Sequence, residues 1–400
     1  MGIITTAPTL SPARAHDAIR VMVVDDAVVV RGMIARWLET EPDLRIVASL
    51  RSGREAIEQI ELVQPDVVIL DVDMPDIDGI TALPRLLEKK RDLVVLMAST
   101  LTRRNAEVSL RALSLGAIDY IPKPQTNREF TTSLSFRREL VDKIRALGSR
   151  KLGRPSPSTP APGVPVPPAA TAPARARSFE RSPSLVPDAS PHAGEAPTPK
   201  LRPFSLTAPR VLLIGSSTGG PQALNALIGG LGSMIDLAPV LIAQHMPPTF
   251  TAIFAEHLAR SSTRVVREAE HGEAVYAGRI YVAPGGRHMR VVRQDNGAHI
   301  ALDDGALINF CKPAVDPLFA SAALVWGAGN LAVVLTGMGS DGMRGAADIV
   351  TAGGSVIAQD EATSVVWGMP GSVANAGLCS AVLPIDQIAP RIVRLFSGGR

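Results

Sequence analysis

The chain is poor in cysteine and in aromatic residues, and it contains no long apolar run. Cys311 and Cys379 are its two cysteines, and no CxxC motif or Cys/His cluster accompanies them. Two thiols cannot form the disulfide framework of a small secreted domain, and the ligand spacing of a structural zinc site is missing. No apolar run reaches the ~18 residues of a membrane span, so we expect no stable membrane insertion.

The N-terminal stretch lacks the apolar core of a secretory signal. Gly2 and Thr6 fit the loose MGxxx[ST] myristoylation pattern, a motif so short that it often matches by chance. With no export signal and no disulfide framework, we expect a cytoplasmic protein.

The positive charge of the chain is concentrated in one proline-rich stretch. Residues 151–210 hold 15 of the 33 prolines, and their eight basic and three acidic residues give them a net charge of +5. Since the whole chain carries +3, everything outside this stretch sums to −2. The pI near 9.0 therefore indicates no basic nucleic-acid face, and we expect no nucleic-acid partner.

The same stretch divides the chain into parts, because Pro/Ala/Ser tracts have little apolar surface to bury. We predict a flexible arm over 1–18, a first domain over 19–148, a basic linker over 149–207 and a second domain over 208–400. Hydrophobic residues make up 46% of the chain, which is enough for two sizeable cores. We expect a monomer.

In the first domain, short apolar runs alternate with helical patterns. The apolar runs cover 19–25, 44–50, 66–71, 93–99 and 117–121, and the helical patterns cover about 28–40, 53–63, 79–90, 103–114 and 128–147. Five nearly continuous apolar strands, each followed by a helix, predict a parallel sheet with helices on both faces. Ligands of such sheets bind outside the carboxyl ends of the strands.

Polar residues follow four of these strands. Asp25 and Asp26 end the first, Asp71 the third, Ser99 the fourth and Lys123 the fifth. Converging carboxylates need a divalent cation to offset their repulsion, and oxygen ligands suit Mg²⁺. A carboxylate beside Mg²⁺ can attack phosphorus, so the pattern predicts an aspartyl phosphate site.

The first domain closely resembles the receiver domain of two-component response regulators, a flavodoxin-like (βα)5 fold. The motifs VVDDA, ILDVDMPDIDG, MAST and DYIPKP carry the resemblance and follow one another in order over about 20–145. It implies that Asp71 is the phosphoacceptor and that Lys123 contacts the phosphate. It further implies that Ser99 is the switch hydroxyl and Tyr120 the rotating aromatic. Mg²⁺ would be held by Asp25, Asp26, Asp71 and the backbone carbonyl of Asp73.

The second domain opens on a strand, a Ser216-Ser217-Thr218-Gly-Gly-Pro turn and an apolar helix. Backbone N–H groups at such a helix start can cradle a phosphate, or they can form an oxyanion hole beside a nucleophilic serine. The motif is neither GxGxxG, GxxxxGK[ST] nor GxSxG, so the turn alone leaves both interpretations open, and it does not choose between the two serines.

A histidine and an acid follow later strands of the same domain. His245 ends the apolar run 239–244, which places it as a candidate general base for the serine. Asp341 lies in the glycine-rich turn after the run 331–335, where it can cap a helix and also orient a histidine. Asp316 and Asp360 are the alternative acids.

This constellation resembles the catalytic domain of the chemotaxis protein-glutamate methylesterase family, CheB, a doubly wound parallel α/β domain. The motifs LIGSSTGGP, IAQHMP, YVAPGGRHM, KPAVDPLF and LTGMGSDGMRGA carry the resemblance over about 208–395. It implies a triad of Ser217, His245 and Asp341, with an oxyanion hole from the backbone N–H groups of Thr218 and Met338.

The resemblance implies a phosphorylation-regulated hydrolase that removes methyl groups from glutamate γ-methyl esters of chemoreceptors and deamidates receptor glutamines. The implied partners are methyl-accepting chemoreceptors and a chemotaxis-type histidine kinase. Mg²⁺ serves the receiver, and the esterase reaction uses no cofactor. The alternatives are the same esterase in a non-chemotaxis receptor array, a non-enzymatic response regulator and a nucleotide-binding regulator. No P-loop lysine supports the last of these, and the charge outside the linker opposes a DNA-binding regulator.

Overall fold

The computed structural model describes residues 18–124, 134–151, 200–262 and 264–399. They form two α/β units, as the sequence predicts. Most of the predicted arm, with Gly2 and Thr6, and most of the predicted linker lie outside the described residues.

The first unit is a five-stranded sheet in the order β2-β1-β3-β4-β5, with every neighbouring pair parallel. Its strands are β1 (Ile19–Val24), β2 (Leu44–Leu50), β3 (Val67–Asp71), β4 (Val94–Thr100) and β5 (Asp119–Lys123). Its helices are α1 (Val28–Glu39), α2 (Gly53–Val63), α3 (Gly79–Lys89), α4 (Arg103–Ser114) and α5 (Leu134–Lys151). The predicted flavodoxin-like receiver fold is confirmed.

Local chemistry explains where the helices of this unit begin. The side chains of Ser52, Asp78 and Thr102 each accept a hydrogen bond from a backbone N–H in the first turn of α2, α3 and α4. These caps satisfy donors that a helix start otherwise leaves without a partner. Asp78 is therefore a capping residue and does not join the acidic cluster.

The second unit is a seven-stranded parallel sheet in the order β14-β13-β12-β6-β7-β9-β8. Its strands are β6 (Val211–Ser216), β7 (Val240–Gln244), β8 (Val265–Glu268), β9 (Arg279–Val282), β12 (Asn330–Val334), β13 (Ser355–Gln359) and β14 (Ala381–Leu383). An antiparallel hairpin of β10 (His288–Gln294) and β11 (Gly297–Asp303) stands apart from the sheet. The predicted parallel α/β fold is confirmed, and the hairpin is an addition to it.

Six helices cover this second sheet. They are α6 (Gly220–Leu231), α7 (Phe250–Ser262), α8 (Val315–Trp326), α9 (Met343–Thr351), α10 (Met369–Asn375) and α11 (Ile385–Phe396). Strands β6, β7 and β12 are buried at every position, which accounts for their almost continuous apolar sequence. Because β6 lies between β7 and β12, the chain reverses its direction of winding there, and the carboxyl edge at this point is where such sheets bind ligands.

The segment just before β6 packs against the second sheet. The Arg202 N–H donates to the carbonyl of Cys379 at 2.8 Å, and the guanidinium of Arg391 stacks 4.4 Å from the centre of the Phe204 ring. The segment 200–207, placed by prediction in the linker, thus lies on the second unit.

The two units contact each other through several side chains. Arg103 of α4 pairs with Glu256 of α7 at 2.9 Å, and Gln222 of α6 donates to the Ala117 carbonyl at 3.0 Å. In the described parts of the chain, no helix is long and apolar enough to cross a membrane.

Candidate functional sites

The carboxyl edge of the first sheet holds the predicted acidic cluster. Oxygen atoms of Asp25, Asp26 and Asp71 lie within 4.8 Å of one another. Three carboxylates this close fit a single hard divalent cation, for which oxygen atoms are the preferred ligands. Asp25 and Asp71 are buried, whereas Asp26 is exposed. Asp73, whose carbonyl the receiver resemblance implies as a ligand of the ion, accepts a hydrogen bond on its carboxylate from Asn105 at 2.6 Å.

Lys123 connects two members of this cluster. Its ammonium lies 2.9 Å from Asp25 Oδ2 and 2.7 Å from Asp71 Oδ1. Burial raises the pKa of Asp71 to about 6; the Lys123 charge opposes this rise, and Asp25 and Asp26 add to it. Burial lowers the pKa of Lys123, but Asp71 and Asp25 outweigh it, and the net direction is upward. The three carboxylates therefore repel one another, and one further cation would reduce this repulsion.

The two predicted switch residues lie on the two strands that follow β3 in the sheet, Ser99 on β4 and Tyr120 on β5. Ser99 is fully buried, and its hydroxyl forms a 2.9 Å hydrogen bond with the hydroxyl of Ser109. Tyr120 is also buried, and its ring stacks on Phe250 of the second unit with centroids 4.6 Å apart and planes 10° apart. The aromatic residue of the receiver is thus part of the contact between the units.

In the second unit, three predicted residues meet at one edge because their strands are neighbours. Ser217 follows β6, His245 follows β7, and Asp341 lies in the turn after β12. His245 Nε2 forms a 2.7 Å hydrogen bond with Asp341 Oδ2. His245 and Asp341 are almost fully buried, with side chains 9% and 1% exposed.

Asp341 caps a helix, but not the helix that follows it in sequence. It accepts from the N–H groups of Val315 at 2.6 Å and Asp316 at 3.2 Å, the first two residues of α8. Burial works to raise the pKa of Asp341, but the bonds from His245 and from these N–H groups outweigh it and hold the pKa below its usual range. Asp341 is therefore held as a carboxylate facing the imidazole.

The pKa of His245 is raised well above its usual value. Burial alone lowers this pKa, but the contacts with Cys311 and Asp341 outweigh burial. A carboxylate partner stabilises the imidazolium that forms when a histidine accepts a proton. The geometry of the pair thus suits a general base.

The two alternative acids do not contact His245. Asp316 Oδ1 accepts from the Gly345 N–H at 2.8 Å, and Asp360 accepts from the N–H of Thr363 at 3.0 Å. Burial and the neighbouring Asp341 charge raise the pKa of Asp316 to about 6. Of the three candidate acids, Asp341 alone bonds the imidazole.

The two adjacent serines lie in different surroundings. Ser216 is fully buried, and its hydroxyl donates to Gln244 Oε1 at 2.6 Å. Ser217 is half-buried at the start of the turn, with its N–H bonded to the Thr336 carbonyl at 3.0 Å. Ser217 is therefore the more accessible of the two serines.

The predicted oxyanion donors flank Ser217. Thr218 is the next residue, and the Gly337–Met338 turn packs so closely that a Cβ on Gly337 would lie 2.8 Å from Ser217 Cβ. Within the parts of the chain that the structure describes, no acceptor bonds the N–H of Thr218 or of Met338. Two free donors beside a serine suit the stabilisation of an oxyanion.

Gln244 is a residue that sequence reasoning missed. Besides accepting from Ser216, its Nε2 donates to the carbonyls of Ser217 at 3.0 Å and His245 at 3.2 Å. One buried amide thus fixes the serine turn to the histidine turn. A glutamine at the end of a buried strand, directly before the histidine, was the available signal.

We predict that Gln244→Met lowers the free energy of unfolding by about 3 kcal/mol, because it leaves the buried Ser216 hydroxyl and the His245 carbonyl without partners. The Ser217 carbonyl keeps its bond from the Gly220 N–H. Urea unfolding measures this loss. Gln222→Met is the matched control: Gln222 bonds carbonyls in the contact between the units, and its loss should cost less than about 1 kcal/mol. Equal losses for the two variants would contradict the bridging assignment.

Comparison with known proteins gives matches to both units. The family model described as CheB methylesterase matches residues 212–392, and the one described as response regulator receiver domain matches residues 21–135. The chain is 59% identical over 404 residues to a protein-glutamate methylesterase/protein-glutamine glutaminase of Rhodopseudomonas palustris, covering 100% of both chains. It is 48% identical to a protein of the same description from Paramagnetospirillum magneticum, over 96% of this chain and 98% of that one.

Among solved structures, the second unit is similar to the catalytic domain of Thermotoga maritima CheB methylesterase. That match has 41% identity and a TM-score of 0.46, and it covers 47% of this chain and 100% of that chain.

Proposed function

This chain belongs to the CheB methylesterase family with an N-terminal response-regulator receiver, and from that membership we propose that it demethylates and deamidates chemoreceptors under the control of phosphorylation. Its substrates are glutamate γ-methyl esters, which release methanol, and receptor glutamines, which release ammonia. The observation that carries the proposal is the His245–Asp341 pair beside the Ser217 turn, at the point where the sheet reverses its winding.

The chemistry proceeds through an acyl-enzyme. His245 accepts the Ser217 proton as the Ser217 oxygen attacks the ester carbonyl carbon, and Asp341 stabilises the resulting imidazolium. The N–H groups of Thr218 and Met338 hold the developing oxyanion. His245 returns its proton to the departing methoxide, and water then hydrolyses the acyl-enzyme by the same steps in reverse order. With a glutamine side chain the leaving group is ammonia.

The receiver supplies the control. Asp71 accepts a phosphoryl group from a chemotaxis-type histidine kinase, with the resulting charge contacted by Lys123. Asp25, Asp26, Asp71 and the carbonyl of Asp73 would hold Mg²⁺, which neutralises charge on the transferring phosphoryl group. Because this donor kinase works in the cytoplasm, we place the protein there as well.

The contact between the units supports autoinhibition by the unphosphorylated receiver. Ala146 and Leu147 of α5 form a small apolar cluster with Val366, against which Met338 also packs. A receiver helix thus covers the turn that supplies an oxyanion donor. The long proline-rich linker lowers the local concentration of the receiver at this surface, so we expect the inhibition to be incomplete.

The experiment is a methanol-release assay on a methylated receptor, with and without acetyl phosphate and Mg²⁺. We expect measurable release without acetyl phosphate and a several-fold faster release with it. Asp71→Asn should keep the basal rate and lose the response, since it removes the phosphoacceptor and leaves Ser217, His245 and Asp341 unchanged. Absence of methanol release under both conditions would overturn the proposed substrate.

A further inference from the structure

Three consecutive residues, Asn309, Phe310 and Cys311, contact the acid, the receiver and the base. Asn309 Nδ2 donates to Asp341 Oδ1 at 3.2 Å, and Cys311 Sγ lies 3.2 Å from His245 Nδ1. Between them, the Phe310 ring lies 4.4 Å from the guanidinium of Arg138, which belongs to α5 of the receiver. The Asn309–Cys311 segment therefore connects the regulatory unit to both buried members of the triad.

The backbone fixes this segment in a tight turn. Ile308 and Cys311 exchange two hydrogen bonds, of 3.1 and 2.9 Å, and both residues between them have positive φ, 50° for Asn309 and 63° for Phe310. Asparagine tolerates the left-handed region, whereas an aromatic residue rarely adopts it. The Phe310 side chain is 76% exposed, so burial of its own ring does not hold this conformation. The Arg138 contact supplies an external support for it.

The contact of Cys311 with His245 conflicts with catalysis. Nε2 of the imidazole is taken by Asp341, so Nδ1 is the nitrogen that must accept the Ser217 proton. In this structure the partner of Nδ1 is the Cys311 thiol, and no hydrogen bond joins it to Ser217 among the contacts of the described residues. Whichever of the two atoms holds the shared proton, Nδ1 already has the Cys311 sulfur as its hydrogen-bond partner, so it cannot accept the Ser217 proton at the same time.

We propose that the Asn309–Cys311 segment holds His245 at rest, with the Cys311 thiol on Nδ1, and that the docked receiver maintains this arrangement through Arg138 on Phe310. The receiver then acts on the base itself in addition to covering the cleft. The only part of the proposed function that this inference uses is the role of Ser217 as the nucleophile. It does not depend on which receptor is the substrate.

The test is the rate at which a small alkyl fluorophosphonate labels Ser217 in the unphosphorylated full chain. Labelling needs His245 as base and does not need the receptor. Cys311→Ala should raise the rate by roughly tenfold, the factor that corresponds to one neutral hydrogen bond. Cys311→Ser, which keeps a donor at this position, should stay within about threefold of the wild-type rate. Unchanged or slower labelling in Cys311→Ala overturns the proposal.

A second pair of variants tests the receiver's part. Arg138→Ala should raise the labelling rate several-fold. Arg103→Ala is the matched control, because it breaks the exposed ion pair with Glu256 elsewhere in the same contact between units. We expect this control to remain within about twofold of the wild type. Equal effects of the two substitutions would show that the receiver acts by covering alone.

Thiol labelling provides a measurement on the unaltered chain. Cys379 is fully buried, so iodoacetamide uptake by the folded protein reports on Cys311. Addition of beryllofluoride and Mg²⁺ should accelerate uptake, and an unchanged rate would contradict release of the segment. Failure of methanol release together with the expected labelling changes would overturn the proposed substrate and leave this inference standing.

Discussion

We expect Ser217→Ala to abolish methanol release, with a loss in kcat on the order of 10⁶-fold, and Ser216→Ala to keep it. The first figure is typical for removal of a serine nucleophile whose histidine partner remains. Ser216 lies one residue earlier but is sealed in the core, where its hydroxyl donates to Gln244. A buried hydroxyl that already donates its proton to an amide is not available for attack.

Ser216→Ala has a different consequence, on stability. It leaves Gln244 Oε1 buried without its donor, which costs about 1–3 kcal/mol of unfolding free energy. We expect kcat to remain within about tenfold of the wild type, since Gln244 keeps its bonds to the carbonyls of Ser217 and His245. Steady-state methanol release and urea unfolding separate the two effects. The reverse pattern, an active Ser217→Ala and an inactive Ser216→Ala, would reassign the nucleophile.

We expect Asp341→Asn to lower kcat by about 10⁴-fold and to move the acid limb of the kcat/KM profile to lower pH. A loss in kcat of this size is typical when the acid of a triad is replaced by an amide, because the histidine then adopts the wrong tautomer. The direction follows from charge. His245 must be neutral to accept a proton, and Asp341 helps to raise its pKa, so activity in the wild type develops above pH 6.5. Without the carboxylate the neutral base persists to lower pH.

The same substitution changes the pH dependence of stability. The pKa of Asp341 is depressed in the folded chain, so its stabilising contribution is present above the pKa of the unfolded state and is lost as the pH falls through the folded value. The raised pKa of His245 contributes in the opposite sense: its stabilisation is present below the unfolded pKa and is lost as the pH rises through the folded one. Unfolding measured across pH should therefore vary less in Asp341→Asn than in the wild type.

Asp316→Asn is the matched control for this pair of effects. Asp316 is a buried aspartate beside Asp341, but its Oδ1 accepts from the Gly345 N–H, and an asparagine oxygen can accept the same bond. We expect kcat within about tenfold of the wild type and an acid limb that stays in place. A larger loss for Asp316→Asn than for Asp341→Asn would make Asp316 the acid of the triad.

Much of both sites was predictable because parallel sheets bring the ends of distant strands together. The acids of the first unit and the serine and histidine of the second lie at the ends of buried strands, and Asp341 lies in the turn that follows another. Buried strands are readable from their continuous apolar sequence. Fold and candidate residues thus followed from one regularity. The choice between Ser216 and Ser217 could not be made in this way. The sequence of the turn does not show which of the two hydroxyls is buried against the neighbouring strand, where Gln244 lies.

Residues that reach the site by irregular routes were not predictable. Asn309 and Cys311 arrive on a turn with two left-handed residues, which has no periodicity to read. The helix that Asp341 caps begins 26 residues before it in sequence, so the cap has no local signature. The antiparallel hairpin β10–β11 carries no member of the triad, and its place beside the sheet is likewise a tertiary outcome.

The stacked rings of Tyr120 and Phe250 make the two halves of the molecule mutually dependent. If the receiver must leave the cleft before substrate binds, as the proposed autoinhibition requires, then bound substrate in turn disfavours the docked receiver. Coupling between two binding events is reciprocal, so whatever phosphorylation does for substrate affinity, bound substrate does for phosphorylation in equal measure. A receptor helix bound at the catalytic site then acts as an effector of the receiver. Its binding favours phosphorylation of Asp71, just as phosphorylation of Asp71 favours its binding.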